Sequence, residues 1–283
     1  MTVLLALAAG ALATAALLAS SKQVLGQPAL ERENYRGHRL PTAAGLVLVA
    51  ATIAVDGGRT VLGLLGVGEA DTAMPRLVVL GAVVMFGFLG LVDDLLGDPH
   101  DRGLRGHLLA AVHGRTTTGF VKLGGGAAVA LVLAGAVDGD QPGRVLIDGA
   151  LIALAANLGN LLDRAPGRTL KWGIVCYVPL ALAAGTAATG VALAVVAGSA
   201  AVLLVPDVRE RLMLGDTGAN ALGAALGTAA VLATSTGVRD VAAMVLLALT
   251  LLSEVVSFSR IIQVVPPLRL VDRLGRRPAP EGQ

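Results

Sequence analysis

Long apolar runs without a charged residue most strongly limit what this chain can fold into. Residues 77–92 and 241–252 contain no charge, and with their milder flanks such runs reach the ~20 residues that cross a bilayer. Hydrophobic residues make up 55% of the 283 residues, charged ones make up 15%, and the mean hydropathy is +0.76. A soluble domain of this length carries more polar residues. The sequence therefore predicts a polytopic integral membrane protein.

Charges, prolines and glycine clusters divide the chain into about nine predicted spans. The expected fold class is an all-α transmembrane helix bundle. It forms a single domain over residues 1–265, followed by a partly disordered tail over 266–283. The predicted spans are 2–20, 42–64, 76–96, 117–137, 145–163, 171–187, 189–206, 218–236 and 239–262.

Basic residues are distributed unequally between the two sets of loops that these spans create. Of the 22 lysines and arginines, all but Arg59, Arg76, Arg144 and Arg239 fall in one set. The positive-inside rule places that set in the cytoplasm, so the N-terminus is expected outside and the C-terminus inside. The net charge is only +2, and the basic residues are scattered between apolar segments. A nucleic-acid-binding face is therefore not expected.

Polar residues in or beside the spans need an explanation, because a carboxylate at the centre of a span costs about 2.5 to 3.5 kcal/mol. They are Asp93 and Asp94 at the end of the third span, Asn160 and Asp163 at the end of the fifth, Asp216 before the eighth, and Glu254 inside the ninth. All but Glu254 fall on the predicted cytoplasmic face. Glu254 is expected to pair with another residue or to line a polar cavity.

Each of these positions has a structural alternative. Asp93 and Asp94 form a negative pair that opposes the dipole at a helix C-terminus, which favours a shared metal, cation or proton over a merely solvated helix end. Asp216 has the right residue type for a helix N-cap. Asn160 and Asp163 share one helix face, and Asn160 could simply bond a neighbouring helix.

Oxygen ligands gathered on one face suit Mg²⁺ better than zinc, and the basic loops beside them suit phosphate. The residues alone thus indicate a site for a phosphate-bearing substrate at the inner membrane surface, which a lipid substrate could also reach.

Four motifs, in order, resemble the polyprenyl-phosphate N-acetylhexosamine-1-phosphate transferase family. The segments are NYRGHRLPTAAGL (34–46), GFLGLVDDLLGD (87–98), NLGNLLDR (157–164) and MLGDTGANALGAALG (213–227). The resemblance covers about residues 22–262. It implies Mg²⁺-dependent transfer of a sugar 1-phosphate from a UDP-activated amino sugar to a polyprenyl (undecaprenyl) phosphate for cell-envelope glycan synthesis, with release of UMP. It also implies a multi-pass protein of the cell (plasma) membrane, and a homodimer is compatible with it.

The same resemblance implies roles for individual residues. Asp216 would be the Mg²⁺ ligand, and Asp93 and Asp94 would position or deprotonate the lipid phosphate; all three are the expected catalytic residues. The expected substrate-binding residues are Asn34, Arg36, Arg39, Lys122, Asn160 and Asp163, of which Asn160 and Asp163 would line the nucleotide site.

Two departures from the family pattern mark this chain as a divergent member. The lysine that often follows the first aspartate of the pair by four residues is replaced by Gly97, and Arg102, Arg105 or Lys122 is expected to supply that charge. The histidine-rich loop expected after the ninth span is absent, and His107 is the histidine to test. Two alternatives follow: a non-catalytic member that binds lipid phosphate or nucleotide sugar, and a transporter.

Overall fold

The computed structural model describes residues 1–67, 73–97 and 118–277, without the side chains of 118–121. The long helices are α1 (Val3–Ser20), α3 (Gly45–Leu64), α4 (Met74–Leu96), α5 (Thr118–Asp138), α6 (Pro142–Leu162), α7 (Arg168–Ala184), α8 (Ala188–Val208), α9 (Gly215–Ala233) and α10 (Thr236–Ser253). The shorter elements are α2 (Lys22–Leu25), a 3₁₀ turn (Pro28–Leu30), the antiparallel strands β1 (Glu31–Glu33) and β2 (Arg39–Pro41), α11 (Phe258–Val264) and α12 (Pro266–Arg273).

Six of the described helices are long and apolar enough to cross a membrane: α1, α3, α4, α6, α8 and α10. Apart from the short β1–β2 hairpin, the regular structure of the described ranges is helical. These findings agree with the predicted all-α membrane bundle. The number of nine spans and the orientation stay predictions.

Helix α9 lies at the centre of the bundle and packs against α3, α4, α5, α6, α7 and α8. Small residues dominate its sequence, and they let neighbouring helix backbones approach closely. Gly90 of α4 illustrates the distance involved, because a Cβ atom there would overlap the carbonyl oxygen of Asp216. This glycine therefore brings the end of α4 against the start of α9.

The polar motifs lie at one end of the bundle, where α4 ends and α9 begins. We call this end the site end. Helix α3 also starts there, because a Cβ atom on Gly45 would overlap the backbone nitrogen of Gly218. The β1–β2 hairpin packs at the same end: the Met213 amide donates to the Pro41 carbonyl at 2.7 Å. The hairpin is thus joined to the segment that leads into α9.

Charged residues at the opposite end of the bundle form a connected network. Arg239 donates to Asp138 and Asp148 at 3.0 and 2.9 Å. Arg144 donates to Asp148 and Asp240, both at 2.6 Å. The network holds α10, which has no fully buried residue of its own, against α5 and α6. Two of the arginines predicted on the outer side are therefore paired with carboxylates.

The ninth long helix is shorter than predicted. Helix α10 ends at Ser253, whose hydroxyl donates to the Thr250 carbonyl at 2.6 Å and so competes with continuation of the helix. Glu254 is exposed in the turn before α11. The prediction that Glu254 lies inside a span, where it would need a partner or a polar cavity, is wrong.

The C-terminal helix α12 is docked on the start of α7 at the site end. Asp272, which is 5% exposed, accepts hydrogen bonds from Arg168 at 2.7 Å and from Arg276 at 2.5 Å. The Lys171 ammonium donates to the Asp272 carbonyl at 2.8 Å. The first part of the predicted tail is therefore packed on the bundle, whereas residues 278–283 lie outside the described residues.

Candidate active site

Four helices bring polar side chains together at the site end: Asp93 and Asp94 near the end of α4, Lys122 near the start of α5, Asn160 near the end of α6, and Asp216 in the first turn of α9. Helix α4 packs on α5 and α9, and α6 packs on the same two helices. Apolar packing along the helices thus sets their polar ends side by side. These five residues are called the polar cluster.

The Lys122 ammonium lies at the middle of the polar cluster. Its Nζ donates to Asp93 Oδ2 at 3.1 Å and also to Asp216 Oδ2. With its amide nitrogen facing Asp216, Asn160 donates to Asp216 Oδ1 at 2.6 Å, and its oxygen accepts from Lys122 Nζ at 3.2 Å. The side chains of Lys122, Asp93 and Asp216 are 19, 23 and 28% exposed. These three charged side chains are therefore partly exposed in the part of the chain that the structure describes.

Lys122 accordingly brings a positive charge to the aspartate pair, as expected for one of the three candidates for that role. Lys122 lies on α5. The position four residues after Asp93, where the family often has a lysine, is Gly97 in this chain. The other two candidates, Arg102 and Arg105, lie outside the described residues, as does His107.

Asp94 caps the start of α9. Its Oδ1 accepts from the Asp216 amide at 3.0 Å, and its Oδ2 accepts from the Thr217 amide at 2.9 Å and the Thr217 hydroxyl at 2.6 Å. Amides in the first turn of a helix have no partner within the helix, and the helix dipole favours a carboxylate there. The alternative that Asp216 is the N-cap is wrong, since Asp216 lies inside α9 and Asp94 supplies the acceptor.

Gly215 permits this close approach of α4 and α9. Its φ of +73° lies in the left-handed region, and a Cβ atom on it would lie 2.8 Å from Asp94 Oδ2 and 2.6 Å from the Ala43 nitrogen. The first glycine of the Gly-Asp-Thr-Gly motif is thus required both by its backbone conformation and by the lack of room for a Cβ atom.

Asp163 directly follows α6 and is partly buried beside the polar cluster. Burial, followed by the negative charges of Asp207, Asp216 and Asp94, raises the pKa of Asp163 well above its ordinary value. It therefore adds a carboxyl group that holds its proton more readily than an exposed aspartate does.

Two of the three hairpin residues predicted to bind substrate contact Glu210, which follows α8. Asn34 donates to Glu210 Oε2 at 3.0 Å, and Arg36 Nε lies 3.2 Å from the same oxygen. Arg39 lies 3.5 Å from Glu31 across the hairpin, and its side chain is 63% exposed. Asn34 and Arg36 thus shape the hairpin, whereas Arg39 is the one of the three that is most open to a phosphate.

The sequence reasoning missed three residues that assemble this end of the bundle. Arg32 donates to the Asp94 carbonyl at 2.7 Å and so caps the end of α4. Asp207 of α8 accepts from the Gly167 and Leu214 amides at 2.7 and 3.2 Å. Glu210 is the third. Apart from Leu214, these partners are distant in the chain, and only the charged character of the three residues at the ends of apolar segments could have indicated them.

The donor set of the polar cluster fits Mg²⁺, and the Lys122 ammonium marks where a cation is attracted. Within the described ranges, no group of three or more histidine, cysteine, aspartate or glutamate side chains is arranged to hold a metal. Magnesium, however, is usually bound through one or two carboxylates, with water and substrate phosphates completing its shell. Asp93 and Asp216 both contact one nitrogen and supply two such carboxylates.

Replacing Asp94 by Ala is expected to lower the free energy of unfolding by about 1 to 3 kcal/mol, because the amides of Asp216 and Thr217 lose their acceptors. Asp94→Asn keeps one acceptor oxygen, and its loss should be smaller. Thermal unfolding of the purified variants in one detergent measures both. Equal stability of Asp94→Ala and the unchanged protein would contradict the capping role.

No protein-family model matches the chain, and no curated protein matches it either.

Proposed function

We propose that this protein transfers a sugar 1-phosphate from a UDP-sugar to a polyprenyl phosphate and releases UMP, as the transferases that its motifs resemble do. The observation that carries the proposal is the convergence of Asp93, Lys122, Asn160 and Asp216 at one end of a membrane-type bundle. A lipid phosphate can reach this end from the bilayer surface, and a nucleotide sugar can reach it from water. Partly exposed charges of both signs suit two phosphate substrates and a cation.

In the proposed reaction, an oxygen of the lipid phosphate forms a bond to the phosphorus that carries the sugar. The bond from that phosphorus to the bridging oxygen of the pyrophosphate breaks, and UMP leaves with the electron pair. Lys122 attracts the phosphate oxygens, and Asp93 beside it orients the lipid phosphate. Asp94 is a positioning residue, because both of its oxygens already accept hydrogen bonds at the start of α9.

Asp216, with Asp93 next to it, would hold Mg²⁺. When bound, the ion would supply positive charge that neutralises the negative charge developing on the departing phosphate. Asn160 fixes the Asp216 carboxylate by donating to it, and Asp163 and Arg39 are assigned to the nucleotide sugar.

The site end is proposed to face the cytoplasm. Among the described lysines and arginines, Arg59, Arg76, Arg144 and Arg239 alone belong to the opposite end, and the remainder lie toward the site end. With the nine spans that the sequence predicts, the positive-inside rule then favours an N-terminus outside and a C-terminus in the cytoplasm. Nucleotide sugars are available on that side.

The test is release of UMP by the purified full-length protein from a panel of UDP-amino sugars in the presence of undecaprenyl phosphate and Mg²⁺. We expect UMP with at least one sugar, and its loss when EDTA replaces Mg²⁺ or when the lipid phosphate is omitted. An Asp240→Asn variant, altered at the opposite end of the bundle, should match the unchanged protein. Failure of the whole panel would overturn the proposal.

The second candidate is a non-catalytic protein that binds lipid phosphate or a nucleotide sugar. The contact of the Lys122 ammonium with both Asp93 and Asp216 favours it, because a permanent ammonium would exclude the ion that the transfer needs. In that case ligand binding would be measurable without UMP release.

A further inference from the structure

Lys122 satisfies all of its hydrogen-bonding capacity within the polar cluster. An ammonium carries three donors, and Lys122 Nζ has three acceptors: Asp93 Oδ2, Asp216 Oδ2 and the Asn160 amide oxygen. All three are hard oxygen ligands of the kind that a divalent cation selects. The ammonium thus occupies the place that the chemistry of the site offers to a metal ion.

Carboxylates outnumber ammonium groups among the described residues around Lys122. Asp93 and Asp216 together bring two carboxylates to one ammonium. Asp94 adds a third carboxylate, whose oxygens are turned to the start of α9. Among the described residues, three carboxylates thus lie beside one ammonium, and carboxylates attract a divalent cation more strongly than a single ammonium.

The lysine is also able to leave. Its ammonium is a point charge on a flexible four-carbon stem, and its side chain is 19% exposed. Asp93 and Asp216 are partly exposed as well, so their carboxylates are not sealed within the described bundle.

We propose that Lys122 is an internal counter-ion that competes with a divalent cation for Asp93 and Asp216 and is displaced when that cation binds. The proposal rests on the proposed function, because the cation is the one that the transfer would use. Without the cation, Lys122 holds the carboxylates of α4 and α9 together. Once displaced, its ammonium becomes available to the phosphate oxygens of an arriving substrate.

The test is the binding of Mn²⁺, as a spectroscopic substitute for Mg²⁺, to the purified protein without sugar nucleotide or lipid phosphate. Free Mn²⁺ is measured by electron paramagnetic resonance during a titration. Lys122→Met is expected to bind Mn²⁺ at least ~10-fold more tightly than the unchanged protein, because the competing ammonium is gone. The matched control is Lys22→Met, which removes an exposed lysine of α2 and should leave the affinity unchanged.

A second variant guards against loss of folding in Lys122→Met. Lys122→Gln removes the charge but retains a hydrogen-bond donor for Asp93, and it should also bind Mn²⁺ more tightly. Added Mn²⁺ should raise the thermal unfolding temperature of either variant more than that of the unchanged protein. Affinities of both variants within twofold of the unchanged protein, or weaker, would overturn the proposal.

The outcome is separable from that of the proposed function. Tighter Mn²⁺ binding by the variants supports competition even if no UMP is ever released. Conversely, UMP release by the unchanged protein together with unaltered Mn²⁺ affinity in the variants would overturn the counter-ion role and leave the transferase proposal in place.

Discussion

The Asp216→Asn variant is expected to release UMP at least about 100- to 1,000-fold more slowly than the unchanged protein. Asparagine has nearly the same shape as aspartate, so the packing of α9 against α4 and α6 should persist. What is lost is the charge that faces Lys122 and that would hold a cation. The rate of UMP formation at saturating UDP-sugar measures the effect, and the thermal unfolding temperature verifies that the variant is folded.

The matched control for this variant is Asp240→Asn. Asp240 also pairs with a basic residue, Arg144, but it lies at the opposite end of the bundle and is 45% exposed. Its rate should be unchanged. A folded Asp216→Asn protein that retains more than a tenth of the activity would exclude Asp216 from the chemistry and would favour a binding role for the polar cluster.

The Asp272→Ala variant is expected to lose about 3 to 5 kcal/mol of its free energy of unfolding, because Arg168 is left buried without its counter-ion. Both members of this pair are nearly inaccessible, with side-chain exposures of 3% for Arg168 and 5% for Asp272. Arg276 loses the same partner, and the docking of α12 on α7 depends on all three. Thermal or denaturant unfolding in detergent measures the loss.

The control for this prediction is a carboxylate in an exposed ion pair. Asp240→Ala removes a carboxylate of the same type from an exposed ion pair, and Arg144 keeps Asp148 as its partner. Its effect should be about 1 kcal/mol or less. Equal effects of the two alanine variants would mean that the Asp272 pair does not hold α12. Faster proteolysis after Arg260 or Arg269 in Asp272→Ala alone would independently show that the helix has detached.

The apolar runs of the sequence were sufficient to predict the helices and the membrane-type bundle. Each run is long, and a backbone in lipid must satisfy its hydrogen bonds within its own segment, so a helix follows from local composition alone. The same reasoning indicated that Asp93, Asn160 and Asp216 lie at helix ends. The alternation of loops between the two membrane sides then predicted that these helix ends share one face. In the structure, Asp93 and Asp216 lie together because both contact Lys122.

Only the tertiary structure decided what each of these polar residues contacts. Asp94 looked equivalent to Asp93, yet it caps a helix that begins 121 residues later, at Gly215. Asn34 and Arg36 share Glu210 as a partner, and Glu254 lies in a turn and not inside a helix. A helical period fixes only the face on which a side chain lies. Its partner depends on which helices pack together, and in this bundle glycines such as Gly90 and Gly215 set that approach between segments far apart in sequence.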